Sequence, residues 1–154
     1  MTTDEFYHKD IFGTVVDVSL SDAEGLDINA DSQDPALRSR SEFNIFALTD
    51  ALGARKKKEA WILYQKALAA GMSAEEVFFK LFWQVKSMLI ALKTRSVEET
   101  DMKAFPYAKA KGFLKNFKPG ELENLSEGLV LGYYQARRGK GEIETLVEKI
   151  LLSL

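Results

Sequence analysis

Apolar residues recur at helical spacing from Phe43 to Leu154. After Lys56, for example, apolar side chains occupy the i, i+3, i+4, i+7 and i+8 positions of one helix face. No stretch in this part alternates Val, Ile or Thr with polar residues, which is the pattern of a half-buried strand. The pattern therefore predicts an all-α fold, a bundle of five or six helices.

Capping residues and glycines predict where each helix begins and ends. Ser73 forms a capping box with Glu76, which is a common helix start. Gly53 and Gly71 follow helical patterns, at positions where glycine often ends a helix. Pro106 suits the first turn of a helix, because it has no N–H to leave unpaired. These signals predict helices at 45–52, about 56–70, about 73–94, from near Pro106 to 117, about 121–138 and 143–154.

The third and fifth helices have more apolar residues than one core-facing stripe needs. The third carries a main stripe from Phe78 to Leu92 that includes Leu81, Phe82, Val85 and Leu89. It also carries part of a second stripe, and a helix that is apolar on two sides is central to its domain or buried against a partner. Surplus apolar surface usually marks an interaction site. The candidate partner-binding residues are Phe79, Trp83, Ile90, Val130 and Tyr134.

The N-terminal part has a different composition. Residues 1–42 hold 10 acids and 3 bases, net −7, whereas residues 43–154 hold 13 acids and 18 bases, net +5. The acidic part has too few large apolar groups to offset the entropy of ordering it. We expect residues 1–41 to be a mostly flexible segment and 42–154 a helical domain. Within the segment, 14–20 suits a short strand or an extended stretch, and 21–24 suits one helical turn.

Few residues offer catalytic or metal-binding chemistry. There are no cysteines, and the one histidine, His8, lies in the acidic segment. Glu123 with Glu127, and Glu144 with Glu148, are i,i+4 carboxylate pairs, but the Glu-x-x-His motif of di-iron bundles is absent. We expect no catalytic site, metal, cofactor or small-molecule substrate. Because the apolar runs are short and the first residues lack a signal-peptide pattern, we also expect no membrane association and a cytoplasmic location.

Two basic clusters are candidate nucleic-acid contacts. One precedes the second helix and the other follows the fifth. The second cluster lacks the spacing of a phosphate-binding loop, and its Gly139 suits a left-handed helix cap. Solvent-exposed helix ends are the alternative interpretation of both clusters, since basic residues in a last turn complement the helix dipole. The candidates are Arg55, Lys56, Lys57, Lys58, Arg137, Arg138 and Lys140.

Particular segments of the helical part carry a family resemblance. Residues 42–53 contain Asn44-Ile-Phe-Ala-Leu-Thr-Asp-Ala, residues 65–71 end a leucine-rich helix, and 82–89 follow in a long helix. Residues 105–122 and 133–154 complete the series. In order and spacing these segments resemble the C-terminal domain of the delta subunit of the bacterial DNA polymerase III clamp loader. A Gln-x-x-Arg/Lys-x-x-Leu pattern of that family is matched in loose register by Gln84, Lys86 and Leu89.

The resemblance implies a role in assembly. In that family this domain is the collar, a helical bundle that joins the collar domains of the gamma/tau and delta-prime subunits into a ring. It would make this chain a non-catalytic oligomerisation domain acting in DNA replication, with indirect contact to DNA. The clamp-opening N-terminal domains have no counterpart here, so the chain is a fragment or a short homologue and clamp opening is not carried over. The alternatives are a small helical DNA-binding protein that uses its basic body and, third, an enzyme with an unrecognised site.

Overall fold

The fold is described from a computed structural model. It describes residues 43–154 and, before them, only the backbone of two short strands. The chain divides into two units, Met1–Ser32 and Gln33–Leu154. The predictions of a flexible 1–41 and of a helical turn at 21–24 lie outside the described residues.

The described part of the first unit is a pair of antiparallel strands of two residues each. Strand β1 (His8–Lys9) lies beside β2 (Val15–Val16), with His8 opposite Val16 and Lys9 opposite Val15. Of the two predictions for residues 14–20, the short strand agrees with the structure at Val15–Val16.

Residues 43–154 form an all-α bundle of six helices, so the predicted fold class is confirmed. None of these helices combines the length and apolar content needed to cross a bilayer. Their bounds are α1 (Ile45–Gly53), α2 (Lys57–Ala69), α3 (Ala74–Lys93), α4 (Ala104–Phe113), α5 (Glu121–Arg137) and α6 (Ile143–Leu152).

Two of the predicted helix starts, those of α1 and α3, have side-chain caps, whereas α4 begins at Ala104, two residues before Pro106. The Asn44 side chain accepts a hydrogen bond from the Phe46 N–H at 3.0 Å. In the capping box, the Glu76 N–H donates to Ser73 Oγ at 3.1 Å and the Ser73 N–H donates to Glu76 Oε2 at 2.8 Å. These bonds satisfy N–H groups that a first helical turn leaves unpaired.

Gly53 has a different role from the predicted one. It belongs to α1, and the left-handed residue that ends this region is Arg55, with φ of 55°. A Cβ built on Gly53 would lie 2.4 Å from the Phe113 ring. Glycine therefore allows α1 and Phe113 to approach closely, whereas Gly71 and Gly139 do take the left-handed conformation expected of a helix cap.

Helix α3 is the centre of the bundle, because α1, α4, α5 and α6 all pack against it. The residues of its predicted main stripe are buried or half-buried except Leu92, which lies in the last turn of the helix and is 46% exposed. The largest fully buried side chains are Tyr64, Leu48, Leu52, Leu81, Met88, Leu129 and Leu151.

The connections around α4 differ from the prediction. A 3₁₀ turn at Val97–Glu99 precedes it, and a second, Leu114–Asn116, follows it. Helix α4 thus ends at Phe113 and does not reach Phe117, whose backbone is extended. This change of direction brings the Phe117 ring under Arg55, with the guanidinium carbon 5.1 Å from the ring centroid.

Candidate interaction surfaces

Four of the five candidate partner-binding residues are exposed in the structure. Phe79 is 48% exposed, Trp83 44%, and Val130 and Tyr134 54% each, whereas Ile90 is half-buried. The residues do not form one patch. Trp83 and the α5 residues line separate grooves that involve different neighbours of α3.

The first groove lies among α1, α3 and α4 and has a volume of about 320 Å³. Phe46 from α1, Trp83 from α3 and Phe105 from α4 line it, and Phe46 and Phe105 are 56% and 75% exposed. We call it the aromatic groove. Three large apolar rings that stay in solvent around one concave site are typical of a binding surface.

An ion pair fixes the α1–α4 side of the aromatic groove. Lys109 Nζ lies 2.6 Å from Asp50 Oδ2 and 5.7 Å from the centroid of the Phe105 ring. The Thr49 hydroxyl, also in the groove lining, donates to the Phe46 carbonyl at 3.0 Å. These groups therefore already have partners within the domain.

Gln84 is the exception among the polar residues of this groove. It is 5% exposed, and its side-chain amide makes no hydrogen bond to the part of the chain that the structure describes. No fully buried side-chain nitrogen or oxygen among the described residues lacks a partner. The small exposed part of Gln84 therefore includes its amide, which faces the groove that it lines.

Ile90 lines a neighbouring groove of about 570 Å³, which shares Trp83 and Pro106 with the aromatic groove. Its walls are more polar and include Lys86 and Glu99. The two grooves therefore adjoin at Trp83 and Pro106.

The α5 candidates lie in a groove between α3 and α5, of about 590 Å³, which we call the α3–α5 groove. Val130, Leu131 and Tyr134 line it from α5, and Leu89 lines it from α3. The Tyr134 ring lies 5.2 Å from the guanidinium carbon of Arg138, which also donates a hydrogen bond to the Tyr134 hydroxyl. The arginine thereby holds the ring in place at the edge of the groove.

Phe79 belongs to an aromatic cluster inside the domain. Its ring makes edge contacts with Phe78 and Tyr133, at centroid distances of 5.5 and 5.3 Å, and Phe78 stacks on Tyr133 at 4.9 Å. The Tyr133 hydroxyl donates to Glu75 Oε1 at 2.7 Å, and this bond to a carboxylate raises the pKa of Tyr133. Phe79 therefore has a packing role between α3 and α5 in addition to its exposed surface.

In the basic cluster before α2, Arg55 is engaged within the domain. Its guanidinium donates to Glu121 Oε2 at 2.6 Å and lies over the Phe117 ring. Glu121 also accepts the Lys118 N–H, and this hydrogen bond, together with Arg55, lowers the pKa of its carboxyl. Lys57 and Lys58 are exposed. Lys56 Nζ lies 3.3 Å from Glu59 Oε2. Of the four candidates, Lys57 and Lys58 are thus the ones that present their charge to solvent.

The two basic clusters lie at opposite ends of α5. Arg55 contacts Glu121, the first residue of α5, whereas Arg137 is its last. A helix of this length spans about 25 Å. Arg137 lies 4.0 Å from Glu75, and Lys140 is exposed beyond the helix. The structure does not combine the seven basic candidates into one patch.

Carboxylates of the Glu144 and Glu148 pair act on a buried tyrosine. The Tyr64 hydroxyl donates to the Glu144 carbonyl at 3.4 Å. Burial, and next the negative charges of Glu144 and Glu148, raise the pKa of Tyr64 to about 12. In residues 43–154, no group of three or more His, Cys, Asp or Glu side chains is placed to hold a metal ion.

Phe46, Gln84, Phe105 and Leu131 line the candidate grooves but are not among the candidate partner-binding residues of the sequence analysis. Phe46 and Phe105 lie in the first turns of α1 and α4, and neither is among the buried residues of its helix. Their signal was a large aromatic residue off the buried face. Gln84 appears in the sequence analysis only as part of the family pattern, because a glutamine in a helix does not by itself indicate a buried side chain. No protein-family model, curated protein or solved structure matches this chain.

Proposed function

We propose that the chain is an oligomerisation (collar) domain of a delta-like subunit of the bacterial DNA polymerase III clamp loader. It would act in DNA replication by assembling with the gamma/tau and delta-prime subunits through their collar domains. The sequence resemblance in residues 42–154 is the reason for naming these partners. The proposal includes no catalytic step by this chain.

The observation that carries the proposal is the pair of separate apolar grooves. The aromatic groove involves α1, α3 and α4, whereas the α3–α5 groove involves the other side of the central helix. A subunit inside a ring of different neighbours needs two different surfaces, because its contacts are heterologous. Exposed Trp and Tyr side chains suit this role, since interface energy concentrates in such anchors.

A second candidate is a small DNA-binding protein. The feature that favours it is a shallow groove at α2 and its N-cap, lined by four lysines together with Glu59, Ile62 and Leu63. The lysines are Lys56, Lys57, Lys58 and Lys66, of which Lys56 is paired with Glu59. Phosphate contacts by exposed lysines release counterions, so the resulting affinity falls steeply with added salt. Association through apolar grooves does not have this dependence.

The salt dependence of binding tests the choice between them. The chain is titrated against collar domains of gamma/tau and delta-prime subunits and, separately, against duplex DNA at 50 and 200 mM salt. The collar proposal predicts binding to the collar domains that changes little between the two concentrations. DNA binding that weakens steeply with salt, together with no binding to the collar domains, favours the second candidate and contradicts the first.

A further inference from the structure

The aromatic groove combines an apolar lining with a side-chain amide that has no hydrogen-bond partner among the described residues. Phe46, Trp83 and Phe105 supply the apolar surface, and the Gln84 amide reaches the groove from a side chain that is 95% buried, being 5% exposed. The neighbouring charged groups, Asp50 and Lys109, neutralise each other at 2.6 Å. The groove thus favours an uncharged ligand.

The Gln84 amide defines what the ligand must carry. A glutamine side chain has two N–H donors and a carbonyl acceptor, which match the carbonyl and N–H of a peptide group. A nearly buried amide without a partner loses the benefit of hydrogen bonding, so a ligand that supplies the missing partner gains affinity. A purely apolar ligand leaves the amide unpaired.

We propose that the aromatic groove binds a peptide segment of a partner protein, which inserts one large apolar side chain among the rings and pairs its main chain with Gln84. A volume of about 320 Å³ suits one such side chain with its adjoining peptide groups. The inference rests on the proposed function for the identity of the partner, but its chemistry is tested without any partner.

Three small probes separate the two parts of this recognition. N-acetyl-L-phenylalaninamide carries a ring and peptide groups, toluene carries only the ring, and N-acetylglycinamide carries only the peptide groups. Each is titrated into the full chain labelled with nitrogen-15. The Trp83 indole N–H and the Gln84 side-chain NH₂ report on the groove by nuclear magnetic resonance. Trp61, an exposed tryptophan on α2, is the control.

We expect saturable shifts of the Trp83 and Gln84 signals with N-acetyl-L-phenylalaninamide, while the Trp61 signal stays in place. This probe should bind about fivefold more tightly than toluene, as one net hydrogen bond predicts. N-acetylglycinamide should give no saturable shift. Absence of saturable shifts with the phenylalanine probe, or equal affinity for it and toluene, would overturn the proposal.

Two variants test the assignment of roles. Gln84→Met keeps the size of the side chain and removes the amide, so both ring-bearing probes should bind it equally. Phe105→Ala removes an exposed ring and should weaken both about fivefold or more, whereas Tyr134→Ala, in the other groove, should not. If Gln84→Met still bound N-acetyl-L-phenylalaninamide more tightly than toluene, the proposed pairing of the ligand main chain with Gln84 would be overturned. Failure of the collar domains to bind a chain that still binds the probe would contradict only the proposed function.

Discussion

The Arg55 guanidinium lies 2.6 Å from the Glu121 carboxylate, which is 66 positions further along the chain. The same guanidinium lies over Phe117. The pair therefore joins the α1–α2 turn to the start of α5. The left-handed backbone of Arg55, with φ of 55°, belongs to the end of α1, where the Arg55 N–H donates to the Leu52 carbonyl at 3.0 Å and the Lys56 N–H to the Ala51 carbonyl at 2.9 Å. A non-glycine residue is strained in this conformation.

Arg55→Ala should lower the free energy of unfolding by about 1 to 2 kcal/mol, because it removes the ion pair and the contact with the ring. Lys57→Ala is the matched control from the same basic run, and its effect should stay within about 0.5 kcal/mol. Denaturant unfolding of the three chains measures this difference. Equal effects of the two substitutions would contradict the structural role of Arg55.

Arg55→Gly should be less damaging than Arg55→Ala, by about 1 kcal/mol. Both substitutions remove the guanidinium, but only glycine adopts φ of 55° without strain. The same unfolding experiment compares them. A glycine variant that is the less stable of the two would show that the left-handed backbone at this position is not retained in solution.

Three glycines provide a graded test of helix packing. A Cβ at Gly53 meets the Phe113 ring at 2.4 Å, and one at Gly132 meets the end of the Leu146 side chain at 2.4 Å. Gly53→Ala should cost about 2 to 3 kcal/mol, since the Cγ of Phe113, next to its own backbone, also lies within 2.7 Å of that position, and Gly132→Ala about 1 kcal/mol. Gly128 has nothing within 4 Å of that position.

Gly128→Ala is therefore the control, and it should stabilise the chain by about 0.5 to 1 kcal/mol through helix propensity. Thermal unfolding followed by circular dichroism ranks the three variants. If Gly53→Ala raised the melting temperature as Gly128→Ala is expected to, the close approach of α1 to Phe113 would be wrong.

Alkaline pH should destabilise the domain through Tyr64. Its pKa is about 12 in the folded chain, against a reference value of 10.0. Below pH 10 the tyrosine is protonated in both states, so its contribution to stability is fully present. Between pH 10 and about 12 it ionises first in the unfolded chain, and up to roughly 3 kcal/mol is lost as the pH rises.

Tyr64→Phe isolates this contribution. The variant lacks the titrating hydroxyl, so its free energy of unfolding should fall less steeply from pH 10 to 12 than that of the wild-type chain. Parallel pH profiles for the two chains would mean that the hydroxyl is not held protonated by burial and by the two glutamates.

The sequence was sufficient for the architecture because the relevant forces are local or periodic. Apolar spacing located the helices, and the Ser73 capping box located the start of α3. At Gly53, by contrast, the sequence predicts a helix end, because only the tertiary structure shows that Phe113 packs against this glycine. The sequence predicts that α4 extends to Phe117, because this residue is apolar and at the helical spacing. In the structure α4 ends at Phe113, and the Phe117 ring instead contacts Arg55.

The candidate surfaces were predictable in part. Surplus apolar residues on α3 and α5 indicated Trp83, Val130 and Tyr134, and all three are exposed. Helical periodicity does not show which residues of different helices meet, so the grouping of Trp83 with Phe46 and Phe105 required the structure. For the same reason, a run of four basic residues did not show that Arg55 is bound to Glu121.

The central claim, assembly through the apolar grooves, is tested by substituting one anchor in each groove. Trp83→Ala and Tyr134→Ala are compared with Trp61→Ala, which removes an exposed tryptophan outside both grooves. All three should keep their helical circular dichroism and most of their melting temperature. The difference between them should appear in association with partners.

Binding of these chains to gamma/tau and delta-prime collar domains, measured by calorimetry, is the most direct test. We predict that the wild-type chain and Trp61→Ala bind alike, and that Trp83→Ala and Tyr134→Ala each lose about 2 kcal/mol or more of binding free energy, as buried aromatic anchors do. Normal binding by both groove variants, or no binding by the wild-type chain, would contradict the account.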